Sequence, residues 1–172
     1  MPIHQLNHAV LYVRDVTRSV EFYTKVLGFR VAAQFPGAAF LRAQDSTNDH
    51  DLGLFEIGAQ AAESPAGRGA VGLYHLAWEV DTLAELRRLA GELTAVGSLV
   101  GSSDHATSKS LYAKDPDGLE FEVVWLVPAD RLDAETLAAA SGGVQPLDLD
   151  RELARYGAQT RGGVGISVPA SA

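Results

Sequence analysis

The same order of predicted elements occurs twice along this chain of 172 residues. An apolar, strand-like run at residues 6–13 precedes a stretch whose apolar residues recur at helical spacing up to Gly28, and three short strand-like pieces follow. The order recurs from a strand-like run at 72–80 through a helical stretch at 82–96, again with three strands behind it. A repeat of this length favours an architecture built from two similar units. The sequence therefore predicts two βαβββ modules in an α+β fold.

The repeat divides the chain into four segments. They are a first module, a linker rich in Ala, Gly, Ser and Pro, a second module and a C-terminal tail, at residues 4–59, 60–69, 70–127 and 128–172. We expect the two modules to form a cupped mixed sheet around one shared cavity. The tail shows two short helical stretches at 130–140 and 149–156. Its end has too few large apolar residues to fold alone, so it is either disordered or an arm that covers the cavity or contacts a partner subunit.

Composition excludes several classes of function. There are 14 Lys and Arg against 22 Asp and Glu, a net charge of −8, which argues against nucleic acid and anionic membranes as partners. The absence of cysteine excludes disulfides, thiolate metal sites and thiol nucleophiles. No apolar run approaches the roughly 20 residues that span a bilayer, and the first residues lack the pattern of a signal peptide. We therefore expect a soluble, cytoplasmic protein that acts on a small molecule.

Two histidines and two glutamates occupy matched places in the repeat. His8 and His75 lie in the two first strands, 67 residues apart, and Glu56 and Glu122 follow them by 48 and 47 residues in the two last strands. A lone histidine in an apolar strand is more often a hydrogen-bonded core residue, but the matched placement favours a shared role. Glu122 is costly to bury unless it meets a cation. Two histidines and one carboxylate form a site for Fe(II) or Mn(II) that leaves about three coordination positions open.

Residues 4–126 resemble the vicinal-oxygen-chelate superfamily, which includes glyoxalase I, extradiol ring-cleavage dioxygenases, fosfomycin-resistance transferases and bleomycin-binding proteins. The opening stretch LNHAVLYVRDVTRSVEFYTKVLGF is typical of the superfamily as a whole. The stretch HATSKSLYAKDPDGLEFE, residues 105–122, is similar to the extradiol dioxygenase signature. It departs from that signature at Ser103, where the family usually has Gly, Asn, Thr, Ile or Val. The chain thus looks closest to the single-domain type I extradiol dioxygenases.

The resemblance implies a metal centre. It makes His8, His75 and Glu122 the ligands of Fe(II), with Mn(II) also suited to this set. The partners it implies are an aromatic diol and O2, and members of this fold commonly pair modules across subunits, so we expect a homodimer or a higher homo-oligomer.

The resemblance also implies three residues that act on the substrate. Tyr112 would hydrogen-bond the bound substrate oxygen, and His105 would lie in or behind the pocket. In the stretch NDHDLGLFEI, His50 falls on the place of the family's acid–base histidine, while Asp49 replaces the first histidine of the usual pair. A half-buried core tyrosine and solvated surface histidines are the alternatives. Four aromatic residues are also candidates for the pocket wall, although such residues are more often core: Phe40, Trp78, Phe121 and Trp125.

Two other functions remain open at this point. In a glyoxalase-I-like or epimerase-like isomerase, Glu56 would be a fourth protein ligand, and the metal would act as a Lewis acid. In a dioxygenase, Glu56 would be a carboxylate at a strand end without contact to the metal. The third hypothesis is a non-enzymatic binding protein of the bleomycin-resistance kind. Such proteins generally lack the set of three metal ligands. The signature around His105 and Tyr112 favours the extradiol dioxygenase.

Overall fold

The computed structural model describes residues 2–3 and 5–163, and its elements follow the predicted order. Within these residues the strands and helices are β1 (Ala9–Val13), α1 (Val16–Lys25), β2 (Arg30–Phe35), β3 (Ala38–Arg42), β4 (Leu52–Glu56), β5 (Leu76–Glu79), α2 (Leu83–Ala95), β6 (Leu99–Asp104), β7 (Ser108–Lys114), β8 (Glu120–Leu126), a short 3-10 helix (Ala129–Arg131), α3 (Ala134–Ala140) and α4 (Leu149–Tyr156). The predicted α+β class, the two βαβββ units and the helical C-terminal portion are confirmed.

The first compact unit comprises the residues before 66 together with 115–119. Its mixed sheet has the strand order β1-β4-β3-β2, with β1 parallel to β4. Because side chains alternate along a strand, one face of this sheet is buried against α1, while the other face exposes apolar side chains such as Val10 and Tyr12. Helix α1 begins where Asp15 accepts a hydrogen bond from the Arg18 amide at 3.0 Å.

The second compact unit comprises residues 66–114 and the residues from 120 onward. Its mixed sheet has the order β5-β8-β7-β6, with β5 parallel to β8. Helix α2 begins at Thr82, whose hydroxyl accepts from the Glu85 amide at 3.2 Å. The buried stripe of α2 and one face of the sheet form the core: Leu83, Leu86, Leu89, Leu93, Leu111, Ala113, Phe121, Val123 and Trp125. The other sheet face carries several polar side chains, among them Tyr112 and Glu122, which are paired in register.

Two details of the predicted secondary structure are wrong. His8 and His75 do not lie within the first strands but directly before them, because ladder pairing starts only at Ala9 and Leu76. The predicted helix at 130–140 is split in two. Asp133 accepts a hydrogen bond from the Thr136 amide at 2.7 Å and so starts α3 as a separate helix.

The C-terminal segment belongs to the second unit. Helix α4 matches its predicted range, and after it the Gly162 and Gly163 amides donate to Asp81 O at 2.8 Å and to Leu126 O at 3.1 Å. The predicted arm at the end of the tail falls mostly on residues 164–172, outside the described residues. Over the part of the chain that the structure covers, no helix is both long and apolar enough to cross a membrane.

Candidate functional site

The polar face of the second sheet carries three of the predicted site residues. Tyr112 on β7 is paired in register with Glu122 on β8, and Glu122 is also paired with Ala77 on β5. Residues paired in this way share a face of a sheet. His75 precedes Ala77 by two residues and points to the same side. The strand register therefore brings together side chains that are up to 47 residues apart in sequence.

His75 and Glu122 contact each other directly. Nε2 of His75 lies 3.0 Å from Oε2 of Glu122, and the two side chains are 23% and 13% exposed. The imidazole also packs against two aromatic rings, with centroid distances of 4.4 Å to Tyr74 and 5.8 Å to Tyr112. Its Nδ1 is buried and has no hydrogen-bond partner within the described residues. The ring is thus oriented by Glu122 and by its aromatic neighbours.

Tyr112 connects this pair to His105. The Tyr112 hydroxyl lies 2.9 Å from Nε2 of His105, which sits in the turn between β6 and β7. Burial raises the pKa of the Tyr112 phenol, and the negative charge of Glu122 raises it further. The phenol therefore keeps its proton at neutral pH and can donate a hydrogen bond. Four of the six predicted site residues form one continuous line of contacts: His75, Glu122, Tyr112 and His105.

The geometry of His75 and Glu122 fits a divalent ion. Two ligand atoms about 2.1 Å from one ion and at right angles to each other lie about 3.0 Å apart. This is the separation between Nε2 and Oε2 here. A third ligand is not gathered beside them, since no group of three or more His, Asp or Glu side chains in the described chain is arranged to hold an ion. The assignment of His8 as the third ligand stays a prediction.

The remaining two predicted residues lie together in the first unit. The rings of His8 and His50 are 4.5 Å apart, and His50 also packs edge-on against Phe40 at 4.9 Å. Nδ1 of His8 is 2.8 Å from Oδ1 of Asn7. His50 and Phe40 line a shallow surface depression with Ala32, Ala33 and Asp49. The predicted ligand and the predicted acid–base residue are therefore neighbours.

The loop that carries His50 is fixed by the residue after it. The Asp51 carboxylate accepts hydrogen bonds from the Ala43 amide at 2.8 Å, from Ser46 Oγ at 2.7 Å and from Asn48 Nδ2 at 2.8 Å. These three bonds hold a polar loop in one conformation without regular secondary structure. His50 is thus presented from a surface loop that the Asp51 carboxylate holds together.

Glu56 has a structural partner. Its Oε2 accepts a hydrogen bond at 3.0 Å from the amide of Val16, the first residue of α1. A carboxylate at this position satisfies one of the free amides of the helix N-terminus and interacts favourably with the helix dipole. Glu56 thus lies with the buried Leu52 and Leu54 on the helix-facing side of its sheet, whereas Glu122 lies on the face away from the core, so the predicted match between the two glutamates is wrong.

The aromatic candidates divide between site and core. Phe121 and Trp125 are 2% and 0% exposed on the helix-facing side of the second sheet, so they belong to the core. Phe40 contacts His50 on the outer face of the first sheet. The sequence analysis did not select Tyr74. The signal that could have found it is its place directly before the predicted ligand His75. In the structure Tyr74 is 65% exposed.

A family model described as the Glyoxalase/Bleomycin resistance protein/Dioxygenase superfamily matches residues 5–123. The chain is 35% identical over 124 residues to the catechol-2,3-dioxygenase of Bacillus subtilis (strain 168). The matched region covers 70% of this chain and 42% of the dioxygenase. It is 29% identical over 131 residues to the lactoylglutathione lyase of Escherichia coli O157:H7, covering 70% of this chain and 91% of the lyase. The chain thus spans less than half the length of the dioxygenase.

A solved structure shows the same similarity to lactoylglutathione lyases. The lactoylglutathione lyase from Agrobacterium tumefaciens matches with a TM-score of 0.53 at 26% identity, over 72% of this chain and 95% of that one. The C-terminal segment that contains α3 and α4 lies beyond the residues matched by the family model.

Proposed function

Because the chain belongs to the glyoxalase/bleomycin resistance protein/dioxygenase superfamily, we propose that it is an extradiol dioxygenase, which opens a catechol-type ring with O2 at the bond beside the two hydroxyls. The observation that carries this proposal is the line of contacts from Glu122 through His75 and Tyr112 to His105. The hydrogen bond between His105 and Tyr112 joins the two residues that distinguish the dioxygenase signature from that of an isomerase.

The metal ligands in this proposal are His8, His75 and Glu122. Two neutral imidazoles and one carboxylate suit Fe(II), and Mn(II) suits the same set. When bound, such an ion would bring the diol and O2 together and let electron density pass from the ring to oxygen. The catechol-2,3-dioxygenase relative supports the choice of reaction.

The protein's own side chains would transfer and hold the protons of the reaction. His50, next to His8, takes a proton from one diol hydroxyl as the substrate binds. When His105 donates its Nε2–H to the Tyr112 oxygen, the phenol proton remains free to hydrogen-bond the substrate oxygen. All atoms of the diol and both atoms of O2 end in the ring-opened product.

The outer face of the first sheet offers a surface for an aromatic substrate. Phe40 packs edge-on against Phe55 at 5.8 Å and against His50 at 4.9 Å. Phe55, on the neighbouring strand β4, is 36% exposed. An aromatic ring placed beside His50 would bury these side chains and gain from edge-to-face contacts. We place this activity in the cytoplasm and expect it in a homo-oligomer.

A second candidate function is a metal-dependent isomerase. The similarity to lactoylglutathione lyase, which extends over 91% of that protein, favours it. Such an enzyme would use Glu56 as a fourth ligand and as the base that moves a proton beside a carbonyl. The position of Glu56 weighs against this role, because the side chain lies on the helix-facing side of the first sheet, where it caps α1, while Val10 and Tyr12 mark the open face.

Oxygen consumption tests the proposal. The protein would be loaded with Fe(II) without air and mixed with a panel of monocyclic and bicyclic diols in an oxygen electrode cell. We expect uptake of O2 with at least one diol, together with the absorbance of a ring-opened product. Metal-loaded protein that consumes no O2 with any diol, but isomerises a 2-oxoaldehyde–thiol adduct, would establish the second function instead.

A further inference from the structure

A buried cluster of charged side chains lies on the opposite side of the second sheet from His75 and Tyr112. Lys109 on β7 is 1% exposed, although its neighbours in the alternating pattern, Leu111 and Ala113, belong to the apolar core. Its Nζ contacts Asp104 Oδ1 at 2.5 Å, Ala106 O at 3.1 Å and Glu152 Oε2 at 3.1 Å. The first two of these oxygens accept hydrogen bonds from the ammonium group, and the third forms an ion pair with it, since Glu152 Oε2 has no hydrogen-bond partner within the described residues.

The cluster fixes the backbone of one residue from both sides. Ala106 has φ of 64°, the one positive φ at a non-glycine residue in the described chain. Its amide donates to Asp104 Oδ1 at 2.8 Å, and its carbonyl accepts from Lys109 Nζ at 3.1 Å. A non-glycine residue keeps such a conformation only where its surroundings impose it. Asp104 and Lys109 impose it here.

Ala106 is the residue that directly follows His105. Asp104 and Lys109 thus form a clamp on Ala106, which gives the turn of residues 105–107 its shape. This shape brings His105 Nε2 to 2.9 Å from the Tyr112 hydroxyl.

The C-terminal segment holds the clamp. Gln145 and Asp104 exchange two backbone hydrogen bonds of 2.8 and 2.9 Å. Arg151 donates to Asp104 Oδ2 at 2.9 Å and to Glu152 Oε1 at 2.8 Å, and Glu152 is 1% exposed beside Lys109. All three residues lie beyond the matched family region, which ends at residue 123.

Stability alone is a weak reason for such a cluster. Burying ionised groups costs solvation energy that their mutual attraction offsets only in part, and apolar replacements are often as stable. The cluster does fix one local conformation, because Asp104 and Lys109 each form a hydrogen bond with a backbone atom of Ala106.

We propose that the C-terminal segment positions His105, with Asp104, Lys109 and Glu152 as positioning residues that act through the turn at Ala106. The inference rests on the proposed function, in which His105 directs the Tyr112 proton toward the substrate. It predicts that α4 contributes to turnover although it lies outside the matched family region.

Nuclear magnetic resonance of histidine-labelled protein tests the positioning directly. The signal of His105 Nε2 would be assigned with His105→Gln, and Tyr112→Phe gives its value when the hydrogen bond is absent. Lys109→Met removes the donor to Ala106 O. The double variant Lys109→Met/Glu152→Leu replaces two of the three buried charges by apolar groups and leaves Asp104 paired with Arg151, which protects the fold. Asp150→Asn is the matched control, since it removes an ion pair of α4 with Arg87 outside the clamp.

We expect the His105 signal to move to its Tyr112→Phe value in whichever Lys109 variant folds, and to stay at the wild-type value in Asp150→Asn. In the ring-cleavage assay kcat should fall about 10²-fold, as for a misplacement near 1 Å, with metal content unchanged. A wild-type His105 signal in the folded double variant overturns the inference. If no diol is cleaved, the proposed function fails, whereas the resonance measurement still decides the positioning.

Discussion

Glu122 touches His75 through its carboxylate, Oε2 to Nε2 at 3.0 Å, while its backbone is paired in register with Tyr112. One residue thus connects a candidate metal ligand to the candidate substrate-binding phenol. Its charge also raises the pKa of that phenol, after the larger effect of burial. The proposed activity depends on this relationship, because the strand register places the carboxylate that would hold the ion beside the phenol that would bind the substrate.

Replacing His75 or Glu122 should abolish stoichiometric metal binding. His75→Ala and Glu122→Ala each remove one ligand atom, and the core on the opposite sheet face does not depend on them. Metal content by mass spectrometry, with circular dichroism to show folding, measures this. Glu120→Gln, two residues away on β8, is the matched control and should bind metal normally. Full metal retention in His75→Ala would contradict the assignment.

His50 should transfer protons without binding the ion. In His50→Gln we expect wild-type iron content and diol binding, with turnover lower by about 10²–10⁴-fold, the usual contribution of general acid–base catalysis. Steady-state rates across the pH range measure the effect. Turnover equal to wild type at every pH would mean that another group carries the proton.

Glu56 separates the two enzyme functions. A dioxygenase needs three open metal positions, two for the diol and one for O2, so Glu56 must stay off the ion. Glu56→Gln should therefore leave metal content and oxygen uptake near wild type. Glu56→Ala should lower the free energy of unfolding by about 1 kcal/mol, because the Val16 amide loses its cap. Denaturant unfolding and metal analysis test both points, and loss of metal in Glu56→Gln would favour the isomerase.

The Asp104 clamp should make stability depend on acid pH. Burial alone would raise the pKa of the Asp104 carboxyl, but hydrogen bonds from Lys109 and from the Ala106 amide outweigh it and hold the pKa below its usual value. A carboxyl with a lowered pKa in the folded state stabilises the protein above its unfolded pKa, about 3.9, and loses that contribution as the pH falls further. The wild type should therefore lose more unfolding free energy than Asp104→Asn between about pH 5 and pH 2. Parallel curves for the two proteins would show that Asp104 gains nothing from the cluster.

Much of the fold could be predicted because the signals for each strand and helix are local in sequence. Helical spacing, the stop at Gly28 and the strand-like runs each depend on a few neighbouring residues, as do the caps at Asp15 and Thr82 that the structure shows. The dioxygenase signature likewise contains His105, Tyr112 and Glu122 within 18 residues, and the strand register then joins Tyr112 to Glu122.

The clamp on Ala106 could not be predicted in the same way. Lys109 lies 43 residues before Glu152, and pairing between them depends on how α4 packs. One signal was present, since Lys109 occupies a position that alternates with Leu111 and Ala113 on the buried face of β7. A charged residue in such a position requires a buried partner.

The fate of the oxygen atoms tests the central proposal most directly. Fe(II)-loaded protein would be given a diol that it turns over, under ¹⁸O-labelled O2, and the product analysed by mass spectrometry. An extradiol dioxygenase consumes one O2 per diol, places both labelled atoms in the product, apart from any later exchange with water, and opens the ring beside the two hydroxyls. A product without label, or a ring opened between the hydroxyls, would contradict the proposed function.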